Sequence, residues 1–319
     1  MPDRVVQQAE VTAAQQGKRF DQVAAELFPD FSRARLQAWI RSGELRSDGE
    51  SLRPRDRVAA GAVLTLEAEL QDEVSWEGEP IALDILHEDA DILVLNKPAG
   101  LVVHPAAGNR DGTLVNALLH AYPELSRLPR AGIVHRLDKD TSGLMVVARS
   151  MRAHTSLVEQ LQARSVHREY SAVCIGTMTG GGTVDAPIGR HPKARTKMAV
   201  VSVGGKPAVT HYRVEERFGH HTLVAVKLET GRTHQIRVHM AHRRYPLVGD
   251  PQYGGRPRVP AGADPELVSM LQGFPRQALH ARRLGLLHPE DERECEWSVP
   301  LPDDLLALLE CLRRLDPPA

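Results

Sequence analysis

The chain has 319 residues, 42% of them hydrophobic and 25% charged, a composition that predicts about two folded globular domains and excludes disorder, collagen and coiled coil. No apolar run approaches the roughly 18 residues of a membrane span, and the polar N-terminus lacks a signal peptide's apolar core. A cytoplasmic protein with no membrane partner is expected. Three widely spaced cysteines exclude a disulfide framework and a cysteine zinc site: Cys174, Cys295 and Cys311.

The formal net charge of -1 hides two segments of opposite charge. Residues 71–92 hold eight acidic residues and no Lys or Arg, whereas residues 186–245 hold twelve Lys or Arg, seven His and three Glu. A positive field of this size attracts phosphate groups, so the second segment predicts a nucleic-acid partner. A merely solvated basic surface is the alternative on charge alone.

Residues 18–70 form the first predicted unit, two helices followed by a small hairpin. Apolar residues between 20 and 28 recur at helical spacing, and Pro29 ends that run. Ser32 is a candidate N-cap of the second helix, Gly43 can end it, and residues 63–70 alternate like a half-buried strand. Three basic residues of the second helix lie off its apolar stripe and are expected to be exposed: Arg33, Arg35 and Arg41.

The stretch FDQVAAELFPDFSRARLQAWIRSGELRSDG resembles the S4 RNA-binding domain over about fifty residues. The resemblance implies that the basic second helix and the loop after it contact structured RNA, which makes Arg33, Arg35 and Arg41 RNA-binding candidates. The tight turn usual in such domains is Asp48-Gly49 here. A plain helical packing module is the alternative, because arginines on a helix are often only solvated.

Residues 71–82 are predicted to be an acidic linker, and residues 83–319 a second, larger domain. Strands are predicted in ALDILHEDADILVLN, GLMVVAR, YSAVCIG and HTLVAVKLET, and helices in TLVNALLHAY, MRAHTSLVEQLQAR and DLLALLECLRR. Strands outnumber helices and their spacing is irregular. The sequence therefore predicts an α+β domain with a mixed, mainly antiparallel sheet.

Residues 130–150 place a polar cluster between two apolar runs, in RAGIVHRLDKDTSGLMVVARS. On spacing alone, a loop whose Asp and Thr side chains satisfy their own backbone explains it equally well. However, HRLDKDTSGL is similar to the signature of the pseudouridine synthases of the ribosomal large-subunit and tRNA group. The similarity continues from Leu83 through HREY, RHPKARTKMAV, GKPAVTHYRV, LETGRTHQIRVHMAH, PLVGDPQYGG and RQALHARRL.

This resemblance implies an RNA isomerase that converts uridine to pseudouridine without metal or organic cofactor. It assigns the essential carboxylate to Asp138 and its guanidinium partner to Arg237. It places Tyr170 beside the uracil, and Arg136 in the gap that the extruded uridine leaves. His135 receives no catalytic role, because a histidine beside a strand is more often a structural hydrogen-bonding group.

Two other interpretations of the sequence fail. His234, His239 and His242 lack the helical pair of a zinc site and have no Cys or acidic ligand beside them. The glycine-rich stretches at 179–183 and 253–257 lack the residues of phosphate-binding and dinucleotide-binding loops and are predicted to be turns.

The expected partner is 23S rRNA or a large-subunit assembly intermediate, with no obligatory protein partner. Within that rRNA the resemblance points to several uridines of the helix 69 hairpin loop. One alternative keeps the chemistry and targets tRNA or another rRNA uridine. A second alternative is a non-catalytic assembly factor, which would tolerate loss of Asp138.

Overall fold

The computed structural model describes residues 4–29, 31, 33–69, 76–105, 109–194, 196–255 and 258–318. The candidate N-cap Ser32 and the first part of the predicted linker, through residue 75, lie outside these ranges. The chain forms two compact units, residues 1–75 and 76–319. Within the described ranges, no helix is long and apolar enough to cross a membrane.

The first unit combines a small antiparallel sheet with two helices. Its elements are β1 (Arg4–Glu10), α1 (Phe20–Leu27), α2 (Arg33–Ser42), β2 (Leu45–Ser47) and β3 (Val63–Glu69). β3 lies between β1 and β2, and it pairs with β1 along its whole length. The unit therefore begins before residue 18, its predicted start. In β1 the polar Gln7 is half-buried and the apolar Val6 is exposed. The sequence of β1 therefore does not show the alternation of apolar and polar residues that marks a strand.

The predicted turn residues of this unit lie where the chain changes direction. α2 ends at Ser42, directly before Gly43, whose φ of 82° suits glycine. Asp48 and Gly49 have φ values of 50° and 80°, and Ser47 and Glu50 exchange backbone hydrogen bonds across them. This is the two-residue turn that Asp-Gly favours.

The second unit is built on a large sheet. Its strands are β4 (Ile85–Glu88), β5 (Ile92–Lys97), β6 (Ser142–Ala148), β7 (His167–Ile175), β8 (Gly182–Asp185), β9 (Ile188–Arg190), β10 (Met198–Val200), β11 (Val209–Arg217), β12 (His221–Leu228), β13 (Leu279–Leu287) and β14 (Glu294–Ser298). Its helices are α3 (Leu114–Ala121), α4 (Met151–Ala163), α5 (Gln235–His242), α6 (Pro265–Gly273) and α7 (Asp303–Leu315).

The strand order across the described part of the large sheet is β4-β5-β6-β13-β7-β12-β11-β8, with β14 beside β13. Every pairing is antiparallel except β6 with β13, which is parallel. β9 and β10 form a separate hairpin. This architecture confirms the predicted α+β class with a mixed, mainly antiparallel sheet.

The middle of the sheet is covered on both faces. Leu93 and Leu95 of β5 pack in the same apolar cluster as α3, whereas Ile92 and Val94 pack in the cluster that includes α4. Each fully buried side chain of this kind contributes about 1.5–3 kcal/mol relative to an exposed one. Burial on both faces explains why continuous apolar runs, rather than alternation, mark these strands.

Two sequence-based expectations need correction here. The second half of the predicted linker belongs to the second unit: Trp76 packs against its core, and Asn116 of α3 exchanges hydrogen bonds of 2.8 and 2.9 Å with Glu77 and Glu79. The glycine stretch 179–183, predicted to be a turn, ends inside β8, which begins at Gly182 and pairs with β11.

Gly143 permits the close parallel pairing of β6 with β13. Its φ is 113°, and a Cβ atom there would lie 2.2 Å from the carbonyl oxygen of Ala281. We expect Gly143→Ala to lower the free energy of unfolding by more than about 3 kcal/mol, measured by urea denaturation. The control is Gly180→Ala, because a Cβ at Gly180 would meet nothing within 4 Å. Equal stability of the two variants would contradict this account of the strand pairing.

Candidate active site

A cleft of about 860 Å³ opens in the second unit at the N-terminal end of α5. Residues 133–138 and 228–237 line it, together with Arg168 and Tyr170 of β7. The cleft thus gathers three segments that are distant in the chain, and it contains four of the residues singled out in the sequence: Arg136, Asp138, Tyr170 and Arg237.

Asp138 lies on the short loop that leads into β6. Its backbone carbonyl accepts a hydrogen bond of 3.1 Å from the N–H of Thr141, which closes a tight turn. Its side chain is 16% exposed. The carboxylate therefore reaches the cleft from a rigid backbone.

Lys97, at the end of β5, anchors this loop from beneath. Its fully buried ammonium donates to the carbonyl oxygens of Pro98, Leu101 and Lys139 at 2.6, 3.0 and 2.9 Å. Burial lowers the pKa of Lys97 to about 7, against the raising effect of nearby acidic groups that include Asp138. Because Lys139 directly follows Asp138, these bonds hold the loop beside Asp138.

Arg237 of α5 binds two carboxylates at once. Its Nη1 donates to Oδ2 of Asp138 at 3.0 Å, while its Nε and Nη2 donate to the two carboxylate oxygens of Asp250 at 2.7 and 2.9 Å. Burial lowers the pKa of Arg237. The hydrogen bonds and negative charges of Asp250 and Asp138 have a larger opposite effect and hold that pKa above its ordinary value. The bidentate pair with Asp250 fixes the plane of the guanidinium and aims its remaining edge at Asp138.

Tyr253 and His234 complete the surroundings of this pair. The guanidinium carbon of Arg237 lies 5.0 Å from the centre of the Tyr253 ring. The Tyr253 hydroxyl accepts from the N–H of Met198 at 3.0 Å and lies 2.8 Å from Nδ1 of His234. Nε2 of His234, on the other side of the ring, lies 4.0 Å from Oδ1 of Asp138.

Tyr170 lines the cleft from β7 and is only 5% exposed. The pKa of Tyr170 lies above its ordinary value, mainly because the side chain is buried. The positive charge of Arg168 lowers this pKa, and the negative charge of Asp138 raises it. Its side chain is thus a neutral phenol at neutral pH.

Arg136 is exposed at the cleft, whereas its neighbour His135 is turned inward. Nε2 of His135 accepts a hydrogen bond of 3.1 Å from the backbone N–H of Val146 in β6, so the ring is neutral with its proton on Nδ1. Burial first, and then the charge of Arg168, lowers the pKa of His135 to about 3. His135 acts as a fixed acceptor for β6.

Comparison with known proteins places these residues in a family. A family model described as RNA pseudouridylate synthase matches residues 91–242, which include Asp138, Tyr170 and Arg237. The "Ribosomal large subunit pseudouridine synthase D" of Pseudomonas aeruginosa is 60% identical over 98% of this chain and 98% of its own length. The protein of the same name from Escherichia coli K12 is 55% identical over 98% of this chain and 96% of its own.

The chain belongs to the RNA pseudouridylate synthase family. A solved structure, "Human RNA Pseudouridylate Synthase Domain Containing 4", has 29% sequence identity and a TM-score of 0.56, and the match covers 74% of this chain and 95% of the human one. "Human RNA Pseudouridylate Synthase Domain Containing 1" gives 28% identity and a TM-score of 0.53 over 76% and 99% of the two chains. The protein is therefore an RNA pseudouridine synthase, an isomerase.

Three residues around Asp138 in this synthase carry roles that sequence reasoning did not assign: Lys97, His234 and Asp250. Asp250 lies in PLVGDPQYGG, and its Oδ1 also accepts from the N–H groups of Gln252 and Tyr253 at 2.9 and 3.0 Å. A lysine at the end of an apolar strand, followed by Pro-Ala-Gly, was the available signal for Lys97. His234 has a φ of 56°, a left-handed conformation that is uncommon for a residue with a side chain.

Arg33, one of the three candidates on α2, has an internal partner in this synthase. Its Nη2 donates at 2.8 Å to Asp21 of α1, whose side chain is fully buried and also binds Arg19 and Gln37. Burial raises the pKa of Asp21, but its hydrogen bonds, of which the bond from Arg33 has the largest effect, hold that pKa below its ordinary value. Arg33 thus joins α1 to α2, while its side chain remains 48% exposed.

Of the other two arginines of α2, Arg41 is exposed as predicted, whereas Arg35 is half-buried. The guanidinium of Arg35 lies 5.3 Å from the centre of the Trp39 ring, and Arg41 donates to Oε1 of Gln37 at 3.4 Å. The arginines of α2 are therefore held in place by neighbours within the unit.

Of the three histidines weighed as zinc ligands in the sequence, His239 is held inside the fold by other partners. His239 is fully buried, with Nδ1 2.8 Å from the Thr210 hydroxyl and Nε2 3.0 Å from the Ala186 carbonyl oxygen. Across the part of the chain that the structure describes, no group of three or more His, Cys, Asp or Glu could hold a metal ion.

The inward position of His135 makes the stability of this synthase depend on pH. The folded pKa of about 3 lies below the ordinary value of 6.5, so stability present above pH 6.5 is lost as the pH falls. Between pH 7.5 and 5.5 this one group should cost about 1.4 kcal/mol of unfolding free energy. When the pH falls from 7.5 to 5.5, we expect the unfolding free energy of His135→Asn to drop by about 1.4 kcal/mol less than that of wild type, measured by urea denaturation. An equal loss in both proteins would contradict the neutral state of His135 in the folded protein.

Proposed function

We propose that this synthase converts uridine to pseudouridine in the 23S rRNA of the large ribosomal subunit. The chemistry rests on one observation, the ion pair of 3.0 Å between Arg237 and Asp138 in the cleft. The choice of rRNA is supported by relatives named as large-subunit enzymes, which match 98% of the chain. We further propose that residues 18–70 form an S4-like RNA anchor and that the second unit holds the catalytic domain.

The reaction breaks the C1′–N1 bond of uridine, turns the uracil and forms a bond from C1′ to C5. The C5 proton then leaves and N1 ends with a proton, so the product is an isomer. Asp138 acts at the ribose, either as a nucleophile at C1′ or as the base that removes the C2′ proton. In both routes Arg237 holds the carboxylate in one orientation, and Asp250 holds Arg237.

Tyr170 packs against the uracil in this proposal. Its burial and raised pKa keep it a neutral phenol, which favours stacking and positioning a water molecule over acting as a phenolate base. The water, or a group of the RNA, then accepts the C5 proton.

Arg136 takes the place of the extruded base. Its exposed position at the cleft, two residues before Asp138, lets a planar cation stack on neighbouring bases while the uridine enters. Within 23S rRNA we propose the hairpin loop of helix 69 as the target, because an unpaired loop uridine costs less to extrude than a paired one. The arginines of α2 would then bind phosphates elsewhere on the same RNA.

The central test is Asp138→Asn, compared with wild type. We expect the variant to lose isomerisation of a helix 69 transcript while its RNA affinity stays within a few fold, because phosphate contacts supply most of the binding. In cells that lack the protein, pseudouridine mapping by carbodiimide labelling and reverse transcription should show the loop signals restored by wild type and not by the variant.

Each other result selects a different function. If cells that lack the protein lose pseudouridine signals in tRNA while the rRNA map is unchanged, the protein is still a pseudouridine synthase, but its substrate is tRNA. Restoration by Asp138→Asn would overturn the role of Asp138. A map unchanged in both RNA classes would favour the rRNA-binding assembly factor.

Asp250→Asn tests the positioning of Arg237. An amide cannot accept both N–H groups that the carboxylate accepts, so we expect a loss of roughly tenfold to a hundredfold in kcat with RNA affinity unchanged. Glu216→Gln is the matched control, because Glu216 forms the same type of bidentate pair with Arg313 on the surface. Equal effects of the two substitutions would assign Asp250 a purely structural role.

A further inference from the structure

Arg168 is a buried cation without a partner in the described part of the chain. It lies on β7 two residues before Tyr170, so the two side chains share one face of the strand, and both line the cleft. Only 8% of Arg168 is exposed. No residue that the structure describes forms a hydrogen bond or an ion pair with it, and its Nε is buried with no acceptor.

Other arginines that are equally buried are paired. Arg237 binds Asp250 and Asp138, and Arg276 binds Asp304 at 2.6 Å. A buried guanidinium without an anion is unfavourable, because burial removes water and nothing replaces it. The exception at Arg168 indicates that its anion comes from outside the described part of the chain.

The acidic groups that line the cleft do not supply this anion. They are Asp138 and Glu229. Asp138 is bound by Arg237, and Glu229 is bound by Arg164 and His211 at 2.7 Å each.

Space for the Arg168 guanidinium is left by a glycine. A Cβ atom at Gly231 would lie 2.8 Å from Nη1 of Arg168, so a larger residue at that position would displace the end of the side chain. The cleft therefore accommodates the cation at one defined place, against the segment that leads into α5.

We propose that Arg168 binds a phosphate of the RNA that flanks the reacting uridine, an inference that rests on the proposed function. Two residues of strand separate it from Tyr170 by about 6.6 Å, so one nucleotide could place its base at Tyr170 and its phosphate at Arg168. The forked guanidinium matches two phosphate oxygens. A uracil carbonyl could accept one N–H group but would leave the buried charge uncompensated.

The test pairs Arg168→Met with RNA that carries a single neutral methylphosphonate, placed either 5′ or 3′ to the target uridine. We expect Arg168→Met to lower kcat/KM on normal RNA roughly tenfold or more. One of the two methylphosphonates should lower wild-type kcat/KM by a similar factor and have little further effect on the variant, because both changes remove the same contact. Arg168→Lys should retain part of the activity.

Arg283→Met is the matched control, because Arg283 forms an exposed pair with Glu296 at 3.0 Å. This variant should respond to the methylphosphonates as wild type does. The thermal stability of Arg168→Met should equal or exceed that of wild type, since an unpaired buried charge is removed. A marked loss of stability would instead reveal a structural role and overturn the proposal.

The proposal is also overturned if each methylphosphonate lowers the activity of Arg168→Met as much as that of wild type. Affinities of Asp138→Asn and of Asp138→Asn/Arg168→Met for the same RNAs provide a readout that needs no catalysis. If wild type forms no pseudouridine, the proposed function fails, yet the affinity comparison still decides whether Arg168 binds a phosphate.

Discussion

The guanidinium of Arg237 joins the loop of Asp138, 99 residues away in the chain, to the segment that follows α5. Two of its nitrogens bind Asp250, a third binds Asp138, and its plane lies over Tyr253. Since Arg237 is only 5% exposed, little water competes for these bonds, and they are stronger than on a surface. The position of the carboxylate in the cleft therefore depends on the packing of α5 against the sheet.

Support for Asp138 comes from two directions. Arg237 holds its side chain, and Lys97 holds its backbone through the carbonyl oxygen of Lys139. Both supporting groups are buried cations on regular elements, one on a helix and one at the end of a strand. A carboxylate on a loop thereby gains the rigidity of the scaffold beneath it.

Charge in the cleft is distributed differently from what segment counts suggest. Among the cations of residues 186–245, Arg237 is paired with Asp250, Arg217 donates to Met178 and Thr179 carbonyls, and Arg232 donates to the Pro207 carbonyl. These side chains stabilise the fold as well as adding to the positive field. Arg168, which lies outside that basic segment, is a buried arginine that the described chain leaves without an anion.

The sequence by itself determined the fold class and most of the long helices and strands, and it singled out four residues that line the cleft. Apolar runs such as DILVLN and helical spacing in DLLALLECLRR are local signals, and β5 and α7 form where they lie. Local signals did not predict β1, because Gln7 and Val6 break the alternation of a strand. They also did not predict that Gly182 begins β8 instead of lying in a turn. Arg136, Asp138, Tyr170 and Arg237 were identified by residue type and by resemblance to a family.

The resemblance paired Asp138 with Arg237, but only the tertiary structure shows how the two meet and decides what holds them. Asp138 and Arg237 are 99 positions apart, and their contact depends on where β6, β7 and α5 lie around the sheet. Burial decides the partners Lys97 and Asp250 and the inward turn of His135, and spacing along the chain does not encode burial. The same holds for Arg168, which has no partner among the described residues. Long-range pairing of charges arises from packing, and packing is a property of the whole fold.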